Sequence, residues 1–311
     1  MSNKAKILVT GASGFIGRCV VPRLVADGYC VRAAGRRAAL PEVAAAFASD
    51  VETVQIGDLQ EGVNWRPLLD GVDVVVHLAG IARTDGIAPA QYDRINREAT
   101  AELVLTAAVA GVRRFVFVSS IRAQSGAVAH HILNENDPPQ PTEPYGRSKL
   151  AAEIAVQQSG VPFTVLRPVI VYGAGVQGNF RQLIRAAALP LPLPLGAFTA
   201  GRSLLNVHNL ASAIVHVLGQ QSTCGETYLV ADPQPLSLAE IITALRRGMG
   251  RSSGLIALPP ALIRAALTAI NRQELFDALA SQLIVDPRKL IASGWQPLGN
   301  TAGALADLTR R

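Results

Sequence analysis

The sequence predicts an α/β fold, a doubly wound parallel sheet followed by a smaller C-terminal region, and three features carry that expectation. Apolar β-branched runs alternate with alanine-rich segments of helical period through the first half of the 311 residues, the rhythm of successive βαβ units. Runs such as "VDVVVHL" are near-continuous rather than alternating, which suits strands covered on both faces. A glycine-rich turn follows the first run directly and opens a helix.

In chain order the expected strands are "AKILVT", "CVRAA", "VETVQI", "DVVVHLA", "RFVFVSS" and "FTVLRP". The stretches between them are long enough for crossover helices. After Pro168 the texture changes: "ALPLPLPLG", 188–196, is punctuated by proline, and strand signals become sparse. A dinucleotide-binding domain is therefore expected over 1–172, with a returning segment at about 203–230. The substrate-binding region is expected at about 173–202 and 231–311. Neither a flexible linker nor an internal repeat is visible.

Composition narrows the function classes. Hydrophobic residues make up 49% of the chain and its net charge is +6, which describes a globular protein rather than a disordered one. "AKILVT" is too short for a signal-peptide core, so a cytoplasmic location is expected. Three cysteines, Cys19, Cys30 and Cys224, have neither disulfide parity nor metal-ligand spacing and are expected as buried thiols. The five histidines lack the spacing of a metal site, so no metal is expected. The stretch "GLIALPPALIRAALTAI", 254–270, is interrupted by Pro259, Pro260 and Arg264 and falls short of a membrane span; it reads as a buried or interfacial helix. Short arginine pairs without interleaved aromatics suit an anionic small substrate, and no nucleic-acid partner is expected.

The turn "TGASGFIG" places Gly11, Gly14 and Gly17 where a tight turn, close approach to a pyrophosphate and close helix–strand packing each need a residue without Cβ. Together with the strand rhythm it describes a Rossmann-type nucleotide-binding unit. An acid at the end of the second strand would meet a ribose 2′-hydroxyl, but "VRAAGRRAAL" has none, and Arg36 and Arg37 stand there instead. A guanidinium fork suits a 2′-phosphate, so NADP(H) is favoured, with NAD(H) as the alternative.

The glycine turn, Asp58 in "GDL", "HLAG" at 77–80, Asn96, "FVFVSS" and the pair Tyr145 and Lys149 in "EPYGRSKLAAE" occur in an order that resembles the extended short-chain dehydrogenase/reductases. More narrowly, "NDPPQPTEPYGRSK", "LRPVIVYGAGVQGNF" and "LPLPLGAFTAGRSLLNVHNL" resemble the NAD-dependent epimerase/dehydratase group, and within it bacterial UDP-N-acetylhexosamine 4-epimerases and 4-ketoreductases. The resemblance covers essentially the whole chain. It implies Gly11, Gly14, Phe15, Ile16 and Gly17 at the pyrophosphate, Asp58 and Leu59 near the adenine, and Ala79, Gly80 and Asn96 along the cofactor. Pro168 and Val169 would then flank the nicotinamide, and Asn179 and Arg202 the substrate diphosphate. A UDP-sugar substrate is implied, a homodimer is left open, and no stable membrane insertion is expected.

In that frame Tyr145 is the proton donor and acceptor, Lys149 its tuning cation and ribose anchor, and Ser120 the hydroxyl that orients the carbonyl. Ser119 keeps a local hydrogen-bonding role. Lowering a phenol from about 10 toward 7 requires roughly 4 kcal/mol of preference for the phenolate. One cation about 4 Å away, at an effective dielectric near 20, supplies roughly that. The dehydratases of the group follow the active-site hydroxyl with an Asp–Glu pair; Ile121 and Arg122 stand there, which disfavours dehydration. The expected activity is 4-reduction of a UDP-2-acetamido-2,6-dideoxy-4-ketohexose. The alternatives are a UDP-N-acetylglucosamine or UDP-glucose 4-epimerase, a reductase of another small carbonyl compound, or a non-catalytic dinucleotide-sensing module.

Overall fold

A computed structural model describes residues 5–36, 49–84 and 86–310. Seven parallel strands form the central sheet: β1 (Lys6–Thr10), β2 (Cys30–Gly35), β3 (Val51–Gln55), β4 (Val74–His77), β5 (Arg114–Val118), β6 (Phe163–Pro168) and β10 (Glu226–Val230). Their order across the sheet is β10-β6-β5-β4-β1-β2-β3. Every neighbouring pair is parallel, so the doubly wound architecture read from the sequence is the one observed. All six expected strands are present. The seventh, "ETYLV", lies in the returning segment and pairs with β6 from Glu226↔Thr164 to Val230↔Pro168.

Alternation along the strands divides the core into two layers. Ile7 and Val9 face one side, where Val20, Val21 and Leu24 of α1 (Gly17–Ala26) meet Leu210, Ile214 and Val217 of α6 (Val207–Gly219). Leu8, Val75, Phe115 and Phe117 face the other, against Leu103 and Val104 of α3 (Ala99–Val109) and Ala152 and Val156 of α4 (Pro144–Gln158). A short helix α2 (Pro89–Tyr92) runs into α3 through a π-helical segment, Asp93–Glu98. Burying each of these large side chains contributes roughly 1.5–3 kcal/mol.

The proline-rich part forms a third cluster, in which Tyr172, Phe180, Phe198, Leu204, Ile242 and Leu305 meet. It gathers β7 (Ile170–Tyr172), α5 (Gly178–Ala187), β8 (Gly201–Arg202), β9 (Leu204–Asn206), β11 (Leu236–Ser237), α7 (Leu238–Gly248) and α11 (Thr301–Thr309). Ser237 and Glu240 close a capping box at the start of α7, which satisfies two otherwise orphaned N–H groups. These strands are only two or three residues long, too short for a periodic signal.

Two expectations are refined. The stretch 254–270 contains α8 (Pro260–Ala269), followed by α9 (Gln273–Ala280), and no residue of α8 is buried; of the two readings of this stretch the buried helix is excluded and the interfacial one is left. The thiols of Cys19, Cys30 and Cys224 are half-buried rather than buried. The Cys224 sulfur meets the guanidinium of Arg114.

Candidate active site

The carboxyl ends of β1, β2, β4, β5 and β6 share one edge, and the strand order reverses between β1 and β4, which opens a crevice there. The glycine turn lies across it. Gly11 has φ +70°, and a Cβ on it would stand 2.8 Å from the Ala79 nitrogen. A Cβ on Gly17 would stand 2.4 Å from the carbonyl oxygens of both Gly11 and Ala12. Backbone therefore packs directly on backbone, and the side chain of Ile16 caps no N–H of α1. This cradle fits a pyrophosphate at a helix N-terminus. Gly14 donates its N–H to Gly11 O at 3.0 Å, closing the turn, while Phe15 and Ile16 are half-buried beside it.

Arg36 is exposed one residue beyond β2, and its carbonyl accepts a hydrogen bond from Gln55 at 3.2 Å. Arg37 lies outside the described residues. Asp58 is exposed and accepts the Gln60 N–H at 3.0 Å; Leu59 is buried.

A buried relay fixes the loop that carries Ala79 and Gly80. The Thr100 hydroxyl donates to Asn96 O at 2.6 Å, so His77 Nε2 donates to Thr100, 2.9 Å away. His77 Nδ1 is then an acceptor for Thr10 at 2.6 Å, and Thr10 Oγ1 accepts the Ala79 N–H at 3.3 Å. Burial, with the Lys149 charge nearby, pushes His77 down to about 3 and keeps it neutral. The Asn96 side chain bonds both the N–H and the carbonyl of Ile81, at 2.9 and 3.2 Å, and Ser148 at 3.1 Å. It thus acts on the loop rather than projecting from it.

β5 runs into Ser119 and Ser120. Ser120 Oγ accepts the Arg122 N–H at 3.2 Å and caps the short turn Ile121–Ala123. Pro144 starts α4, which presents Tyr145 and Lys149 one turn apart. Burial raises the Tyr145 phenol above its ordinary value, and the nearby Ser120 hydroxyl and Arg122 charge offset only part of that; Lys149, expected from the sequence to lower it, does not. The ring lies 5.8 Å from that of Tyr92, edge to face.

Lys149 is buried, donates to Val118 O at 2.9 Å and stands 4.2 Å from the centre of the Phe117 ring. Burial pulls its pKa down to about 8, against the opposing charge of Glu153. The strand-end carbonyl thus draws the ammonium inward, and Arg122 is the cation set against the phenol.

Three groups around this centre escape a reading by motif. Glu143, at the N-cap of α4, bonds Arg122 at 3.3 Å and Arg83 at 3.1 Å. Glu153 and Arg167, both buried, pair at 2.6 Å; Ser119 donates to Glu153, and Arg167 donates to Gln124 at 2.8 Å. The third group is the His77 relay. Glu153 stands one turn beyond Lys149 in "YGRSKLAAE", a signal that sequence does carry, but its partner arrives from β6.

Pro168 and Val169 are buried at the end of β6, where the Val169 N–H donates to Val230 O at 3.2 Å. Asn179 is exposed in the first turn of α5. Arg202 is half-buried on β8, paired with Leu236 of β11, and burial pulls its pKa down. These last two sit on the C-terminal region. Its link to the sheet edge runs through the β7–β9 pair, Ile170↔Leu204 to Tyr172↔Asn206.

Comparison with known proteins agrees with this architecture. The chain is 29% identical over 303 residues to a UDP-glucose 4-epimerase of Vibrio cholerae, covering 94% of this chain and 90% of that protein. It is 25% identical over 261 residues to the N-acetyl-alpha-D-glucosaminyl-diphospho-ditrans,octacis-undecaprenol 4-epimerase of Escherichia coli O157:H7, covering 81% and 75%. The solved structure of MoeE5 in complex with UDP-glucose and NAD superposes with a TM-score of 0.76 at 25% identity, over 98% of this chain and 97% of that one. Residues 7–231, the whole span from β1 to the end of β10, match one family model, and the chain belongs to the NAD-dependent epimerase/dehydratase family.

Proposed function

We propose that this chain is a UDP-hexose 4-epimerase in which Ser120 and Tyr145 handle the proton of the sugar 4-hydroxyl. One observation carries the reading: at the carboxyl edge of the sheet the turn capped by Ser120 packs against the start of α4, which carries Tyr145, beside a glycine cradle that only residues without Cβ can build. The similarity to 4-epimerases over nearly the whole chain supports the same conclusion. A bound nicotinamide dinucleotide would be held by Gly11, Gly14 and Gly17 and supplies the acceptor and donor of the C4 hydride.

The chain's own residues do the rest. Tyr145 Oη takes the O4 proton as the C4–H bond breaks, Ser120 donates to the carbonyl oxygen that forms, and the proton returns from Tyr145 after the sugar presents its other face. Arg122 favours the phenolate from one side. Lys149, held by Val118 O, is the ammonium available to the cofactor ribose. Asn179 and Arg202, on the region we assign to substrate binding, face the diphosphate. The test is incubation of UDP-glucose and UDP-N-acetylglucosamine with catalytic NAD, followed by analysis for the 4-epimer. The absence of epimer from either sugar overturns the assignment.

A second reading rests on Arg36. It stands exposed just beyond β2, in a stretch, "VRAAGRRAAL", that carries no acid for a ribose diol, and a guanidinium there favours NADPH and net reduction of a 4-ketohexose. Stoichiometric loss of NADPH absorbance with such a keto-sugar, and no epimer in the parallel tube, selects this reading.

A further inference from the structure

We propose that the C-terminal region carries a docking surface for an anionic lipid bilayer, formed by residues 189–194 together with the stretch from Arg251 through α8 to Arg272. The sequence contains no Asp or Glu between Glu153 and Glu226, and none between Glu240 and Glu274. The fold zips these two acid-free stretches together. Leu193 donates to Gly254 O and Ile256 to Leu193 O, both at 2.9 Å. Beneath them the buried guanidinium of Arg246 donates to the carbonyls of Leu189 and Leu191, at 3.1 and 2.7 Å, and to those of Ser253 and Gly254, at 2.8 and 3.0 Å. The platform is therefore built, with its polar backbone satisfied from below.

Its outer side is apolar. Leu191 is 62% exposed, Leu262 60% and Ile270 64%, and Leu189, Ile256 and Leu258 are exposed with them. No residue of α8 is buried. The exposed charges interspersed here are Arg251, Arg264 and Arg272. Aliphatic side chains among arginines, with no carboxylate inside either stretch and the first exposed acids, Glu274 and Asp277, only on α9, complement the acyl–headgroup boundary of an anionic leaflet, and the net charge of +6 adds long-range attraction.

The surface lies on a bilayer and does not enter it. α8 has 10 residues, about 15 Å of helix against a hydrocarbon core of about 30 Å. Among the described residues no helix is long and apolar enough to cross a membrane. A second copy of the chain is the competing occupant, and a two-fold contact through this face would bring Arg264 and Arg272 of both copies together.

The test uses the purified full chain and flotation with two vesicle types: phosphatidylcholine alone, and phosphatidylcholine with about one third phosphatidylglycerol. Binding to the second and not the first is expected, weakened about tenfold or more by Arg264→Glu with Arg272→Glu. Leu262→Asp with Ile270→Asp should abolish flotation while leaving the melting curve unchanged, since neither side chain is buried. Equal binding to both vesicle types, binding to neither, or undiminished binding of the aspartate variants overturns the proposal. So does a dimer in sedimentation velocity that Leu262→Asp dissociates, which would assign the face to a second copy. Flotation reads no turnover, so a failed epimerase assay leaves this result standing, and failed flotation leaves the epimerase reading standing.

Discussion

At the scale of single residues, the catalytic proposal sets stability against function. Lys149 is buried and its pKa falls from 10.5 to about 8, so at neutral pH the fold holds an ammonium that would be better solvated in the unfolded chain. By linkage this costs up to about 3 kcal/mol at pH 7. The unfolded chain keeps the proton to higher pH than the native one, so the cost is present below about pH 8 and is relieved as pH rises from there toward 10.5. Lys149→Met, which removes the charge and leaves Glu153 its partner Arg167, is expected to raise the melting temperature at pH 7, with a smaller gain at pH 10. The same variant should lose both turnover and cofactor affinity. A lower melting temperature at pH 7 would mean that the ammonium stabilises the fold through its bond to Val118.

Tyr145→Phe is the complementary change. It keeps the ring packed against Tyr92 and removes only the hydroxyl, so cofactor affinity should hold while turnover falls by about 10²–10⁴. Arg122→Gln removes the cation that favours the phenolate, and the ascending limb of the pH–rate profile should move to higher pH. A profile that stays in place would show that Arg122 does not act on the phenol. The Tyr-x-x-x-Lys spacing makes Tyr145 and Lys149 legible in the sequence alone. Arg122 is legible there only as a departure from the dehydratase pattern, because its nearness to the phenol arises where the turn after β5 meets the start of α4.

At the scale of elements, the pair Glu153–Arg167 ties α4 to β6 beneath the site. Removing one partner strands a buried charge and typically costs 3–5 kcal/mol, whereas replacing both with apolar residues of similar volume can be nearly neutral. Glu153→Gln is therefore expected to lower stability by about that amount in urea unfolding, and Glu153→Met with Arg167→Met to recover much of it. Additive losses in the double variant would show that the two side chains are not coupled. The central strands are readable because β-branched runs of four to six residues, buried on both faces, leave a continuous apolar signature. The C-terminal strands of two or three residues leave none, and the returning strand β10 carries Glu226, Thr227 and Tyr228 among its five residues. Pairing with β6 identifies that strand, which its own residues do not.

At the scale of the whole molecule, the epimerase reading demands more than the acid–base pair. The two faces of a 4-ketohexose must in turn be presented to the same hydride donor, with O4 within reach of Tyr145 each time and without the intermediate leaving, so the diphosphate would have to stay fixed while the sugar turns. The architecture suits that division of labour: Ser120 and Tyr145 stand at the sheet edge, while α5 and β8, with Asn179 and Arg202, belong to the C-terminal region joined through β7 and β9. A UDP-hexose labelled with deuterium at C4 is therefore expected to give a 4-epimer that retains the label, in water and with no net change in nicotinamide absorbance. A reductase cannot give that result, since it consumes one reduced cofactor for each sugar and releases it oxidised. If the label is lost and NADPH is consumed, Arg36 becomes the residue to test. Arg36→Asp should then shift preference toward NADH by roughly 1.5–3 kcal/mol, the contribution of one charge-assisted hydrogen bond. Unchanged cofactor preference in that variant would leave the missing acid after β2 without a role in cofactor selection.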